Sequence, residues 1–294
     1  MKTILLFIST AMAFVSAAES ALPGPSLVGI VNIEGLKLAV LQEPRTLSQP
    51  ASEIILKEGE GQDGIEMLEI HPENGTVKIN VAGEERPQLI ALKNPIAGGS
   101  NGLAMENVGL HSALQLYAEL SGRTVLRPSV FPNTKFSINA STTNRVEALR
   151  TIEAALAKQK ITLVLDGEKF ALVAPDYMAA KLNPQSSKIS PPSTNNPTAR
   201  TYPKGSISWH AAPLASVLKI YAEFLDKKLD QSEQPLRMPH LDIVLKNETA
   251  LSKEELIYAI ETVVGWSGVK LVPAGEGFVK AVPISAETSP NPTK

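Results

Sequence analysis

Four stretches of the chain repeat apolar side chains at helical spacing, and the segments between and before them alternate at strand spacing. Leu110, Leu114 and Tyr117 fall at i, i+4 and i+7 on one helix face, and Leu214, Leu218 and Tyr221 do the same further on. Two more helices are predicted after Asn144 and Ser252. They bury Leu149, Ile152 and Leu156 in one case and Ile257, Ile260 and Val264 in the other. Each begins with a residue that can cap free helix N–H groups, followed three positions on by Glu147 or Glu255. KFSIN (135–139) and HLDIVL (240–245) read as strands, and SISWH (206–210) as a strand in front of a helix. ITLVLDGEKFALVAP (161–175) and VKLVPAGEGFVKAVP (269–283) each read as two strands about a glycine turn. The first part of the chain is all-β by pattern: 26–42 gives two strands around Glu34-Gly35, and Asn74-Gly75 marks a hairpin within 54–92.

The elements after residue 104 come twice. LQLYAEL (114–120) returns as LKIYAEF (218–224) at an offset of 104, and from the caps onward the offset is 108, implying four extra residues in the second copy. At that second offset Ile161, Leu163, Gly167, Glu168, Phe170 and Pro175 match Val269, Leu271, Gly275, Glu276, Phe278 and Pro283. Chance does not bring helix faces, caps, turn and closing proline into one register. The module is a duplication of helix, strand, helix and hairpin. Pro213 is tolerated near the start of its helix because its missing N–H would have no intrahelical partner there.

Composition divides the chain. NPIAGGSNG (94–102) is a Gly-rich linker, and 182–206 holds five Pro and five Ser in 25 residues, too little apolar material to order itself. Residues 1–17 combine Lys2 with an apolar run from Ile4 to Ala17 and a small-residue exit, the pattern of a signal peptide, with an uncleaved anchor as the rival. The expected layout is signal peptide 1–17, a small all-β domain 26–94, repeat modules 104–181 and 207–284 around the linker 182–206, and a polar tail 285–294. There is no cysteine, so neither a disulfide nor a cysteine-linked lipid enters the picture. A formal net charge of −2 makes no electrostatic case for nucleic acid or an anionic membrane, and 5% aromatics leave little for a carbohydrate-stacking groove.

The segments 110–126, 144–156 and 161–175, and their second-copy counterparts, resemble the short N-terminal domains of secretins, the outer-membrane gates of type II secretion and type IV pilus systems. The second copy departs from that pattern after its first helix, where FLDKKLDQSEQP replaces ELSGRTVLRPS and leaves the following strand open. LVGIV, LKEGEGQDGIEMLEI and GTVKINVAGE in the first module are similar to the periplasmic domain of the type II secretion C component and of the related pilus-assembly lipoprotein. The resemblance implies an α+β multidomain chain, a small all-β N-terminal domain plus two KH-like domains with two helices on a small mixed sheet. It implies a periplasmic, non-enzymatic scaffold that binds a secretin or other secretion and pilus-assembly proteins. It further implies the vestibule modules without the outer-membrane gate, no cofactor, and contact with the membrane only through partners. A homo-oligomer is left open.

No chemical motif competes strongly with that reading. His71, His111, His210 and His240 are scattered without carboxylates at metal-ligand spacing, and there is no Gly-x-Ser-x-Gly elbow and no phosphate-cradling loop. Asp226, Asp230, Glu254 and Glu255 cannot be told from a solvated face. Gly265-Trp-Ser-Gly268 has the letters of a nucleic-acid clamp, but it falls between helix and strand without basic neighbours, so Gly265 reads as a helix C-terminal residue and Trp266 as packing. The interface candidates are the edge strands, with Phe136, Ile138, Leu241 and Ile243, against the simpler reading that these are core residues. The rivals to a scaffold are an envelope receptor, ligand-binding or signalling module and an envelope hydrolase.

Overall fold

The computed structural model describes residues 24–43, 52–96, 101–182, 184–185, 201–230 and 242–284. The predicted signal peptide, most of the linker 182–206 and the tail 285–294 lie outside them. The described residues form a mixed α/β structure of four helices and several small sheets.

Strands β1 (Ser26–Ile33) and β2 (Leu36–Gln42) form a hairpin whose turn residues Glu34 and Gly35 take φ of +50° and +80°, the left-handed values that match the strand twist. β3 (Glu53–Leu56) pairs with β2. β4 (Gly61–Gln62), β5 (Ile65–His71), β6 (Thr76–Val81) and β7 (Gln88–Ala91) make a second sheet in chain order, with the predicted hairpin at Asn74-Gly75 joining β5 to β6.

The first repeat follows as β8 (Gly102–Gly109), α1 (Leu110–Ser121), β9 (Thr124–Leu126), β10 (Lys135–Ser141), α2 (Arg145–Lys158), β11 (Ile161–Asp166) and β12 (Phe170–Pro175), then a 3-10 helix, Asp176–Lys181. After β13 (Thr201–Tyr202) comes the second repeat. It runs through β14 (Ser208–Pro213), α3 (Leu214–Phe224), β15 (Lys228–Leu229), β16 (Asp242–Lys246), β17 (Leu251–Ser252), α4 (Lys253–Trp266), β18 (Val269–Pro273) and β19 (Phe278–Pro283). The pairings repeat as well: β8 with β10 and β14 with β16 antiparallel, β9 with β12 and β15 with β19 parallel, and each closing hairpin antiparallel. The strand left open by the sequence after the second copy's first helix is therefore present as β15.

Two expectations about layout change. The predicted boundary at 94–104 is crossed by the main sheet, whose order is β10-β8-β1-β2-β3. Its strands are apolar on both faces. Val31, Val40, Leu103 and Met105 turn toward α1 and α2, while Ile30, Ala39, Leu41 and Ala104 turn toward the second sheet. Such a sheet must be covered twice, and helices on one side with β4–β7 on the other do so. Each repeat also divides its strands between two sheets rather than one. In each repeat the first helix packs against both sheets, α1 against β8 and β9 and α3 against β14 and β15, so that it sits between sheets instead of resting on one.

The caps form with one variation. Ser252 and Glu255 make a complete capping box. Asn144 accepts from the Val146 N–H at 2.7 Å, but Glu147 accepts from Thr142 Oγ1, whose own oxygen accepts from the Asn144 N–H. At the other end of α4, Gly265 lies within the helix, and it is Gly268, at φ +78°, that turns the chain out of it. Each repeat also ties its two helices by an equivalent bond. Tyr117 donates to Glu153 at 3.2 Å, and Tyr221 donates to Glu261. Burial first, and then the carboxylate alongside, push both phenols above their usual range.

Two outcomes are expected. Gly102 opens β8 at φ +142°, and a Cβ there would sit 2.1 Å from the Ala140 carbonyl oxygen, so Gly102→Ala should destabilise the protein by ~2 kcal/mol or more in urea unfolding. Tyr117→Phe and Tyr221→Phe should each cost about 1 kcal/mol. A cost in one repeat and none in the other would show that the two bonds are not equivalent.

Candidate functional site

The side chains predicted at an interface are mostly interior. Phe136, Ile138 and Ile243 are buried, the first two beneath α1 and α2 and the third among α3 and α4, because inward positions of a two-residue alternation carry the core. Leu241 lies outside the described residues. What those strands offer a partner is backbone rather than these side chains: β10 is the last strand of its sheet, and β11 and β18 are the last of theirs.

The histidines do not gather. His71 contacts Glu69 at 3.1 Å and Glu73 at 3.4 Å, and His111 opens α1 beside Arg127. His210 is in β14, and His240 is outside the described residues. Among the described residues, no group of three or more His, Cys, Asp and Glu is placed to hold a metal ion. Of the acidic residues singled out from sequence, Asp226 pairs with Lys253 at 2.6 Å, Glu254 accepts from Ser252 at 2.9 Å, and Glu255 completes the cap of α4.

The densest polar geometry lies where the parts of the chain meet. The repeats dock through β9, β11 and β12 of the first against α4 and β16 of the second. Phe170 meets the Tyr258 ring edge-on at 5.3 Å between centroids, and the Tyr258 hydroxyl donates to Asp166. Burial, followed by that carboxylate, pushes the Tyr258 phenol up to about 12. Lys169 donates to Glu255 at 2.7 Å and to the Ala250 carbonyl at 3.1 Å, so the α4 cap is also a docking contact. The Glu248 N–H donates to Thr124 at 3.1 Å.

Beside these contacts, two enclosed carboxylates share three lysines. Glu119 of α1 is 3.1 Å from Lys57, 3.1 Å from Lys204 and 3.5 Å from Lys246. Glu248 is 2.7 Å from Lys204 and 2.8 Å from Lys246. Lys57 belongs to the first β unit, Glu119 to the first repeat, and the other three to the second part of the chain, so the cluster joins all three. The carboxylate side chains are only 9% and 1% exposed, too enclosed to carry charge without partners. Glu119 falls in the repeated heptad LQLYAEL, but no periodicity or motif marks the other four or links the five. The Tyr–Glu bonds also went unread in the sequence, although a signal exists: the tyrosines repeat at the helix offset of 104, and Glu153 and Glu261 at the cap offset of 108.

Two cavities adjoin the junction. One of about 50 Å³ lies between α1, β9, β14 and β16, and a wider groove of about 720 Å³ runs between β3, the start of α1 and residues 127–135. Among the described residues, no helix is long and apolar enough to cross a membrane. Compared with protein-family models, with curated proteins and with solved structures, the chain finds no match.

Burial alone would raise the Glu119 pKa, but the ion pairs with Lys57 and Lys204 outweigh it and hold the carboxyl down at about 2. Because this lies below the ordinary value of 4.5, the charged form contributes stability above about pH 4.5, and that contribution is lost as the pH falls through about 2. Glu119→Gln should lower stability at neutral pH by ~2 kcal/mol and flatten the acid limb of the stability curve. Equal acid slopes in variant and parent would mean that this carboxylate does not hold the junction.

Proposed function

We propose that this chain is a non-enzymatic scaffold or adaptor of an envelope secretion or pilus-like machine, with its two repeats as KH-like association modules of the secretin N-terminal kind. The sequence likeness set out above supports the reading, as does the recurrence of one βαββαββ unit with all its pairings. Partners would be a secretin or other secretion and pilus-assembly proteins met on the periplasmic side.

One observation carries the mechanism. In the first repeat, β8 is hydrogen-bonded on one side to β10 and on the other to β1, with Ile30 opposite Ala104 and Val31 opposite Leu103. In the second repeat the equivalent strand, β14, pairs with β16, and among the described residues no strand takes the place of β1. Burial follows this difference. Leu103, Ala104 and Met105 are buried, whereas their counterparts Ile207 and Trp209 are half-buried and Ser208 is exposed. A strand edge of this kind accepts an extended segment from another chain, main chain to main chain. By analogy with β1 on β8, the segment that fits is an antiparallel strand with apolar residues on both faces.

The test uses the full chain, tagged and expressed in its own host, captured from crosslinked envelope and read by mass spectrometry. The Ile207 N–H donates to Asn247 Oδ1 and its carbonyl accepts from the Asn247 N–H, so Ile207 faces β16 and the next N–H, that of Ser208, points outward. Ser208→Pro removes that outward donor while sparing the bond to β16. Recovery of secretin or pilus-assembly components by the parent, with loss in Ser208→Pro, is the expected result. Recovery of the bait alone or of metabolic enzymes sinks the scaffold reading, and capture indifferent to Ser208→Pro sinks the strand-addition mechanism.

A further inference from the structure

The groove of about 720 Å³ between β3, the start of α1 and residues 127–135 is lined by four charged side chains, Glu53, Asp63, Arg127 and Lys135. Glu53 and Lys135 neutralise each other at 2.8 Å, and Glu53 also accepts from the Gly109 N–H. Asp63 accepts from the Gln62 amide at 3.0 Å, and among the described residues neither Asp63 nor Arg127 belongs to an ion pair. Arg127 is half-buried, and burial alone lowers its pKa, yet a guanidinium keeps its proton at any working pH. Of its five N–H donors, one reaches an acceptor among the described residues, His111 Nδ1 at 3.3 Å. On its other side Arg127 faces the small crevice, where Lys246 and Glu248 belong to the cluster of Lys57, Lys204 and Lys246 around Glu119 and Glu248. Three lysines on two carboxylates leave that side with positive charge in excess and no anion to spare. A cation held away from water is costly until an anion meets it. The groove therefore has one cation and one anion without a counterpart, beside the apolar Leu110, Phe131 and Pro132.

The chain itself supplies a matching segment. β19 closes at Pro283, and the next N–H, that of Ile284, donates to the Gly268 carbonyl at 2.8 Å. One residue before Gly268, Ser267 Oγ lies 3.3 Å from Ser129 Oγ, and Ser129 lines the groove close to Arg127. Residues 285–294 thus begin beside the groove. They read SAETSPNPTK, with Glu287 the single acid and Lys294 the single base. Fully extended, the chain from Ile284 reaches ~10 Å at Glu287 and ~25 Å further at Lys294.

We propose that residues 285–294 fold back into this groove, with the Glu287 carboxylate on the Arg127 guanidinium and the Lys294 ammonium toward Asp63. One ion pair of this kind is weak between separate molecules, but a short tether holds the partners at a roughly millimolar effective concentration. The contact straps the end of the second repeat across the first. No residue of β14 lines the groove, so the strap is distinct from the strand edge and goes beyond the scaffold reading.

The chain has no cysteine, so Ser289→Cys provides one attachment point for a nitroxide label in the ¹⁵N-labelled full chain. The amide signals of Gln62, His111 and Asn133 are expected to lose intensity with the label oxidised and to regain it on reduction with ascorbate. Glu287→Gln leaves every residue of the groove intact and is expected to abolish the loss. Arg127→Glu is expected to abolish it too, and Arg127→Glu combined with Glu287→Arg to bring it back. Undiminished signals in the parent chain, or the same losses in Glu287→Gln, overturn the proposal. So do losses that pass from a labelled chain to a separate ¹⁵N chain without the label, which would give the groove to a second copy.

Discussion

Strand β8 is the constraint on which the rest of the structure depends. Its backbone is bonded to β1 on one side and β10 on the other, and its side chains enter two cores at once, Leu103 and Met105 beneath the helices and Ala104 against the second sheet. At Gly109 it passes into α1 without a loop, and the Gly109 N–H is held by the Glu53 carboxylate at 2.7 Å. One eight-residue segment therefore sets the height of the first repeat, the direction of α1 and the attachment of the N-terminal hairpin. A chain that reads as separate modules becomes, through this strand, a unit with a shared interior.

The second repeat reuses the same plan under a different boundary condition. It has the same order, pairings, capped helix and Tyr–Glu bond, but among the described residues no strand pairs with β14 apart from β16. Its attachment to the first repeat is made by the Phe170–Tyr258 contact and the five-residue charge cluster. Hydrophobic contact supplies area there but little direction. Enclosed carboxylates tolerate only an arrangement that brings their lysines, and in this way Glu119 and Glu248 select one docking geometry.

That geometry creates what neither repeat has alone. The crevice beside Arg127 needs α1 and β9 from one repeat and β14 and β16 from the other. The unpaired strand edge and the crevice differ in chemistry, one main-chain and directional, the other apolar walls set beside Arg127, Lys246 and Glu248.

The four helices, the two hairpins with their glycine turns and the duplication itself were determined by sequence alone, because each depends on residues within one turn or one strand of each other. Leu114 and Leu218, or Gly167 and Gly275, carry their meaning locally. The side chains Phe136, Ile138 and Ile243 were legible as apolar alternation, but alternation does not say which face is core and which is interface; only packing decided that they lie inside. The joining of β1 to β8, the division of each repeat between two sheets, the Glu119–Glu248 lysine cluster and the placement of Arg127 against apolar walls were likewise decided by tertiary structure. They bring together residues far apart in the chain, through backbone pairing that is blind to side-chain identity and through charges whose partners have no fixed spacing. Such contacts leave no local pattern, and they govern what surface the protein presents.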